Sequence, residues 1–222
     1  MLDTRFPRLP GDIGNPATFP FPVRYRVVDG ALPRRVVVER DATLLQPFIA
    51  AARALAGEGA AAIAASCGFL SMFQRELQAA VEVPVWTSSL LSVAPLQRLL
   101  PAGRRIGIVT VDADSLGADH LSAAGAARDT PVEGLARGCA FRRTLLDNRP
   151  ELDADEAREA TVAAALRLVE RHPEVDAIVL ECTNMPPHAD AVREATGRAV
   201  HDITTLIAGR FRALELWPEP SR

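Results

Sequence analysis

Two stretches 115 residues apart follow the same course, and that echo narrows the folds open to this chain more than any other feature. Residues 61–70 read Ala-Ala-Ile-Ala-Ala-Ser-Cys-Gly-Phe-Leu, and residues 177–187 read Ala-Ile-Val-Leu-Glu-Cys-Thr-Asn-Met-Pro-Pro. Each is a short apolar run that closes on a cysteine and passes into a helix-like segment. Laying Cys67 on Cys182 sets Ile63 against Ile178, Val85 against Val200, Ser89 against Thr204 and Leu91 against Leu206. Few side chains are identical. What repeats is the order: run, thiol, helix, short strand, hydroxyl, helix. A repeated strand–helix unit of this kind implies an α/β fold made of two pseudo-symmetric parallel-sheet halves. Residues 1–92 with 205–222 form the first half and residues 93–204 the second.

Local signals fill in the rest. Residues 5–34 are rich in proline and glycine and read as loop, with one short strand over 23–28. Asp41 caps a helix whose apolar positions Leu44, Phe48, Ala51 and Leu55 share a face and which Gly57 ends. The alanine-rich run 60–65 has helix propensity but reads as strand, because its counterpart 177–180 clearly is one. Leu70, Phe73 and Leu77 stripe the next helix; 83–86 is a brief strand and 89–100 a helix. Residues 105–111 (Arg-Ile-Gly-Ile-Val-Thr-Val) form the best strand, dense in β-branched residues and so buried on both faces. Helices over 115–124 and 139–148 flank a strand at 132–135. Asp153 and Glu156 form a capping box for a long helix with Val162, Leu166 and Val169 on one face. After the Cys182 strand come a helix to Gly197, a strand at 199–201 and a last helix from Ile203 to Leu216. The second half opens with a full strand ending near Asp112. The matching acid of the first half is Asp3, with two residues ahead of it where a strand averages about five or six.

Composition removes several functions. Net charge is −3 at pH 7, which gives no electrostatic case for binding nucleic acid or an anionic membrane. No apolar run approaches the roughly 18 residues of a membrane helix, and the first residues lack the pattern of a signal peptide. Three cysteines without metal or redox spacing make no disulfide framework, and the cytoplasm is the expected compartment. All 25 basic residues are arginine, so no lysine can hold pyridoxal phosphate. Four dispersed histidines give no metal spacing. Neither a Gly-x-Ser-x-Gly elbow nor a Gly-x-Gly-x-x-Gly fingerprint is present. No cofactor is expected.

In a parallel sheet ligands gather at the carboxyl ends of strands, where Cys67 and Cys182 both fall. Each thiol also precedes a helix start, where backbone N–H groups favour a thiolate. A facing pair can take a proton from one side of a carbon and return one to the other. A carboxylate substrate would be held by backbone N–H groups and by hydroxyls and amides, for which Asn15, Ser66, Gly68, Ser88, Thr183 and Asn184 are the candidates. Asp3 and Asp112 end first strands and could orient or deprotonate a thiol. Cys139, with no counterpart in the first half, is expected to pack in the core, and His188 and His201 to be structural.

At Ser66-Cys67-Gly68-Phe69 and Glu181-Cys182-Thr183-Asn184-Met185, with the opening Leu2-Asp-Thr-Arg-Phe-Pro, the chain resembles the aspartate/glutamate racemase superfamily over nearly its whole length. The resemblance implies cofactor-independent chemistry in a cleft between two pseudo-symmetric α/β domains, with Cys67 and Cys182 flanking a substrate carbon. It further implies that Thr183 and Asn184 contact the substrate and that the chain is a homodimer. Gly68-Phe69 departs from the polar pair that follows the first cysteine of amino-acid racemases. The expected activity is an amino-acid racemase. Two alternatives stand beside it: another superfamily reaction, of the hydantoin racemase, maleate isomerase or arylmalonate decarboxylase kind, and a small-carboxylate-binding protein without turnover.

Overall fold

The computed structural model describes residues 1–215. Prolines at 7, 10, 16, 20 and 22 withhold backbone donors, and residues 1–32 run as irregular chain pinned by buried Leu2, Phe6, Ile13 and Val28. Residues 23–28 stay extended without becoming a ladder strand. Helix α1 (Pro33–Val37) follows. The Asp41 side chain accepts from Thr43 N at 2.9 Å and starts a 3₁₀ turn that runs into α2 (Leu45–Gly57). Strand β1 (Ile63–Ala64) leads through Cys67 into a 3₁₀ segment, Gly68–Phe73, and α3 (Gln74–Ala79). Strand β2 (Val85–Trp86) precedes a 3₁₀ turn, Ser89–Ser92, and α4 (Val93–Gln97). The helix expected over 89–100 is thus split and short, since Pro95 cannot donate to the carbonyl of Leu91.

The second half opens with β3 (Arg105–Thr110), α5 (Ala118–Ala123), β4 (Val132–Gly134) and α6 (Ala140–Leu146). It continues with α7 (Ala154–Arg171), β5 (Val175–Leu180) and, after a 3₁₀ turn at Pro186–His188, α8 (Ala189–Thr196), which Gly197 closes at φ +65°. Strand β6 (Ala199–His201) and α9 (Ile203–Ala213) complete the described chain; Leu216 lies outside the described residues.

All strands pair in parallel. One sheet has the order β4-β3-β5-β6 and the other is the pair β1-β2. The pairs aligned by the sequence echo are bonded neighbours: Ile178 pairs with Val200, and Ile63 with Val85. The duplication is therefore a duplication of sheet register. Ile106, Ile108, Val109, Val175, Ile178, Val179 and Leu180 have no exposed surface, as expected for a strand run covered on both faces.

Two expectations for α7 change. The Asp153 side chain accepts from Asp155 N and Glu156 N, but Glu156 does not reciprocate. Its carboxylate accepts from Ala140 N at 2.9 Å and Phe141 N at 2.8 Å, capping α6 instead. The buried face of α7 is also a different one, made of Ala157, Thr161, Ala164, Ala165 and Leu168, while Leu166 is 42% exposed. Small side chains let the helix lie close to the sheet, where a Cβ on Gly107 would fall 2.7 Å from Leu168 Cδ2. The spacing of apolar residues pointed to the larger side chains; close packing selected the alanines.

Candidate functional site

Both repeated strands end at the interface of the halves. After β1 the chain passes through Ser66 to Cys67, which is extended (φ −156°, ψ 119°), before the 3₁₀ turn. After β5, Glu181 N still donates to Val109 O at 2.8 Å, and Cys182 follows. The two thiols are free, nearly fully buried and line one cavity of about 30 Å³. Cys67, Ser66 and Gly68 form one wall, and Cys182, Thr183 and Asn184 another. Hydroxyls clasp the walls together: Thr183 Oγ1 donates to Ser66 O at 2.7 Å, and Ser89 Oγ to Leu180 O at 2.8 Å. Ser66 Oγ accepts from Leu2 N at 3.0 Å, which brings the N-terminal loop over the site. Cys182 Sγ lies 3.7 Å from Asn184 Oδ1, and Asn184 Nδ2 donates to Asp12 Oδ2 at 2.5 Å.

Two cavity residues escaped the candidate set. Glu181 has no exposed surface; Thr110 Oγ1 donates to its Oε2 at 2.7 Å, and its Oε1 has no partner. Burial pushes its carboxyl up to about 7, against the bond from Thr110. A Cβ at position 68 would fall 2.6 Å from Glu181 O and 2.8 Å from its Cδ, so only glycine permits the approach. The second is Arg8, which together with Glu181 supplies the charged side chains of the lining. It sits 4.8 Å over the Phe6 ring, bonds Thr4 Oγ1 at 2.9 Å and pairs with Asp12 at 3.3 Å. The acid was signalled in the sequence by a charge closing a buried apolar run. The arginine lies in a proline-rich loop without periodicity, where no pattern marks it.

The thiols are not the readily ionised groups that helix starts suggested. Burial first, and then the Glu181 carboxylate, push Cys67 up to about 12, against N–H bonds from Phe69 and Leu70 and the charge of Arg8. Cys182 is pushed up by the same two causes in the same order, and by its proximity to Cys67. Desolvation outweighs the dipole.

Other candidates lie elsewhere. Asn15 holds the loop, its Nδ2 donating to Arg8 O at 2.8 Å, and does not line the cavity. Ser88 caps the turn after β2 through Leu90 N. Asp3 accepts from Gly30 N at 3.1 Å, and Asp112 pairs with Arg142 of α6 at 3.0 Å; neither lines the cavity, since both are engaged by partners from neighbouring segments. Cys139 is half-buried against the core and caps α6, its Sγ accepting from Arg142 N at 3.4 Å. The His188 ring stands edge-on to Phe141, and His201 is half-buried at the end of β6. No cluster of three or more metal-ligating side chains occurs among the described residues, and no helix there is long and apolar enough to cross a membrane.

Paired parallel α/β halves with a thiol from each at the strand ends define a class, and sequence comparison places the chain within it. The Asp/Glu/Hydantoin racemase family matches over residues 31–210, and the chain belongs to that family. Among curated relatives it is 33% identical over 211 residues to a dimethylsulfoniopropionate lyase of Durusdinium sp. clade D, a match covering 90% of this chain and 69% of that one. It is 30% identical to dimethylsulfoniopropionate lyase 7 of Emiliania huxleyi, over 92% of this chain and 62% of the relative. The fold is shared with arylmalonate decarboxylase (TM-score 0.51, 19% identity, covering 84% of this chain and 81% of that one). It is likewise shared with glutamate racemase from Aquifex pyrophilus (TM-score 0.52, 17% identity, 86% and 74%).

Proposed function

We propose that the chain is a cofactor-independent lyase that eliminates a leaving group from a small β-substituted carboxylate of the dimethylsulfoniopropionate kind. The observation that carries this is one small cavity in which two thiols, a carboxyl and a guanidinium meet between apolar walls. Arg8 would hold the substrate carboxylate, with Thr183 and Asn184 beside it. Phe6 and Phe69 also line the cavity and would offer aromatic surface to a dimethylsulfonium group, as ring faces attract cations. An amino acid would need several acceptors for its ammonium group, whereas Phe69 stands where a polar side chain would serve and the unpaired acceptor, Glu181 Oε1, is taken in this reading by the Cys67 proton.

In the proposed reaction, Glu181 Oε1 receives the Cys67 proton, and the thiolate is steadied by Arg8 and the N–H groups of Phe69 and Leu70. The thiolate then takes the proton α to the carboxylate. The C–H electron pair becomes the second bond of an alkene, and the C–S pair leaves with dimethyl sulfide. The sulfide departs neutral, so the departure itself needs no acid. Cys182 stays protonated on the opposite wall. A cavity of about 30 Å³ holds roughly one or two waters, so substrate entry requires a wall to move. Residues 2–8, which have no regular secondary structure and supply Leu2, Thr4, Phe6 and Arg8 to the lining, would be the wall that shifts.

Inversion of an amino acid is the second reading, favoured by the origin of the two thiols in opposite halves. It would use Cys182 as the returning proton donor. Incubation with dimethylsulfoniopropionate and headspace detection of dimethyl sulfide separates the two, alongside aspartate and glutamate in D2O with deuterium at Cα as readout. Sulfide release is expected, and Cys67→Ser should lower it by roughly 100-fold or more. Deuterated, inverted amino acid without sulfide would establish the racemase instead. Ligand-induced stabilisation with neither product would leave a binding protein.

A further inference from the structure

Asp12 is an acid in a proline- and glycine-rich loop, yet it is only 2% exposed and does not line the thiol cavity. A carboxylate buried there loses its water, so protein donors must replace it. The loop holds it firmly. Asp12 N donates to Leu9 O at 2.9 Å, and its carbonyl accepts from Asn15 N at 3.0 Å and Thr18 Oγ1 at 2.5 Å. Gly11, at φ +95°, lets the same loop lie against the segment that follows Cys182, where a Cβ at position 11 would fall 3.3 Å from Pro187 Cα. One buried acid is thereby set behind the second thiol motif.

Its neighbours are all donors. Arg8 Nη1 reaches both carboxyl oxygens, at 3.3 and 3.4 Å, Gly14 N donates to Oδ1 at 2.6 Å, and Asn184 Nδ2 donates to Oδ2 at 2.5 Å. A guanidinium and a backbone N–H can only donate, so both oxygens must accept. Burial pushes the Asp12 carboxyl up from its ordinary value, and the Arg8 charge and these bonds hold it down. The Asn184 amide is then left with one orientation, because turned over it would set its own oxygen against a carboxylate. As it stands, its Oδ1 faces Cys182 Sγ at 3.7 Å, within reach of the larger sulfur atom. That oxygen can only accept, and the proton it accepts is the one on sulfur. Cys67 differs, since its sulfur is met by the N–H groups of Phe69 and Leu70, which favour a thiolate. We propose that Asp12 is a positioning residue: by fixing the Asn184 amide it holds Cys182 as the protonated thiol and leaves Cys67 to act as the base. Cys67 as the base comes from the lyase reading, on which this role for Asp12 rests, but the bond at Cys182 can be read without turnover.

An S–H group that donates a hydrogen bond stretches at lower wavenumber than a free one, because the acceptor loosens the bond to its proton. Raman spectra would be recorded in a Cys67→Ser/Cys139→Ser background, where Cys182 is the one thiol left. Its band should lie low there and move up to the free-thiol position on adding Asp12→Asn. An asparagine at position 12 can give its oxygen to Arg8 and Gly14 and its NH2 to Asn184, whose amide then turns over and offers sulfur a donor. The exchanged pair Asp12→Asn/Asn184→Asp puts an acceptor back toward sulfur and should bring the band down again, a rescue that loss of loop packing alone would not give. A band that Asp12→Asn leaves in place, or that the exchanged pair fails to restore, would overturn the proposal. Should position 12 tolerate no change, the unsubstituted protein carries the test by NMR: the Asn184 Nδ2 protons should exchange with solvent roughly tenfold or more slowly than those of a free side-chain amide. Exchange at the free-amide rate would overturn it. A band that shifts and returns as expected in a protein whose parent releases no dimethyl sulfide would uphold the Asp12 assignment and remove only the lyase reading.

Discussion

Glu181→Gln replaces a buried carboxyl by a neutral group of the same shape, and its effect can be worked out in advance. Glu181 is held at about 7 in the folded chain against an ordinary value of 4.5. Between those values the folded state keeps a proton that the unfolded state has lost. Its contribution is therefore fully present below about 4.5 and is lost as pH rises through about 7. The whole span is worth roughly 3 kcal/mol, at 1.36 kcal/mol for each pH unit. His120 and His188, both pushed down to about 4 mainly by burial, act in the opposite sense, lowering stability as pH falls below 6.5. They are common to both proteins and cancel in the difference. Urea denaturation at pH 4, 5, 6, 7 and 8 should thus give wild-type minus variant stabilities that fall by roughly 3 kcal/mol across the series. In activity, an acid limb near pH 7 in the wild-type kcat/KM should vanish in the variant along with most turnover, because the proton acceptor is gone. A difference that is flat with pH would show that Glu181 is ionised in the fold as in water, and would remove it as the thiol's partner.

Four further substitutions test the packing. Gly68→Ala would drive a methyl group against the Glu181 backbone and should cost about 1–3 kcal/mol by urea denaturation, together with activity; unchanged stability would refute the contact. Thr183→Val would leave Ser66 O buried without its donor and should cost about 1–3 kcal/mol, read the same way. Glu156→Ala and Asp153→Ala should each cost about 1 kcal/mol, and the double variant should show the sum to within about 0.5 kcal/mol, because the two caps serve different helices. A reciprocal capping box would make that pair non-additive.

The sheet pairs were legible because a duplicated register leaves matched residues, Ile63 with Ile178 and Val85 with Val200, even where identity is low. Cys67, Cys182, Ser66, Gly68, Thr183 and Asn184 converge on one cavity for the same reason: they flank equivalent strand ends. What the linear order hides is which neighbours face each other across the halves. Ser88 and Asn15 carry suitable groups but spend them within their own loops, and Asp3 and Asp112 spend theirs on Gly30 and on Arg142 of α6. Glu181 is prominent in the motif, yet its raised carboxyl comes from burial beneath Gly68, which is a property of packing. The thiols were misjudged in the same way, since proximity to N–H groups can be read from the chain but loss of water cannot. The α7 stripe failed because a helix laid close on a sheet selects small side chains over large ones.

The hydroxyl clasp between the halves also has a mechanical consequence. Swinging the two sheets apart would strip Ser66 O and Leu180 O of their donors at once, at about 1–3 kcal/mol each, before any substrate contact offset the loss. The halves therefore behave as one stiff jaw, and the compliant part is the short N-terminal strap, irregular chain held by separate bonds such as Leu2 N to Ser66 Oγ and Arg5 N to Asn148 Oδ1 rather than by a sheet ladder. A site gated in this way sorts its guests by girth: a narrow chain can slip under the strap, while a bulky one would have to prise open the jaw itself.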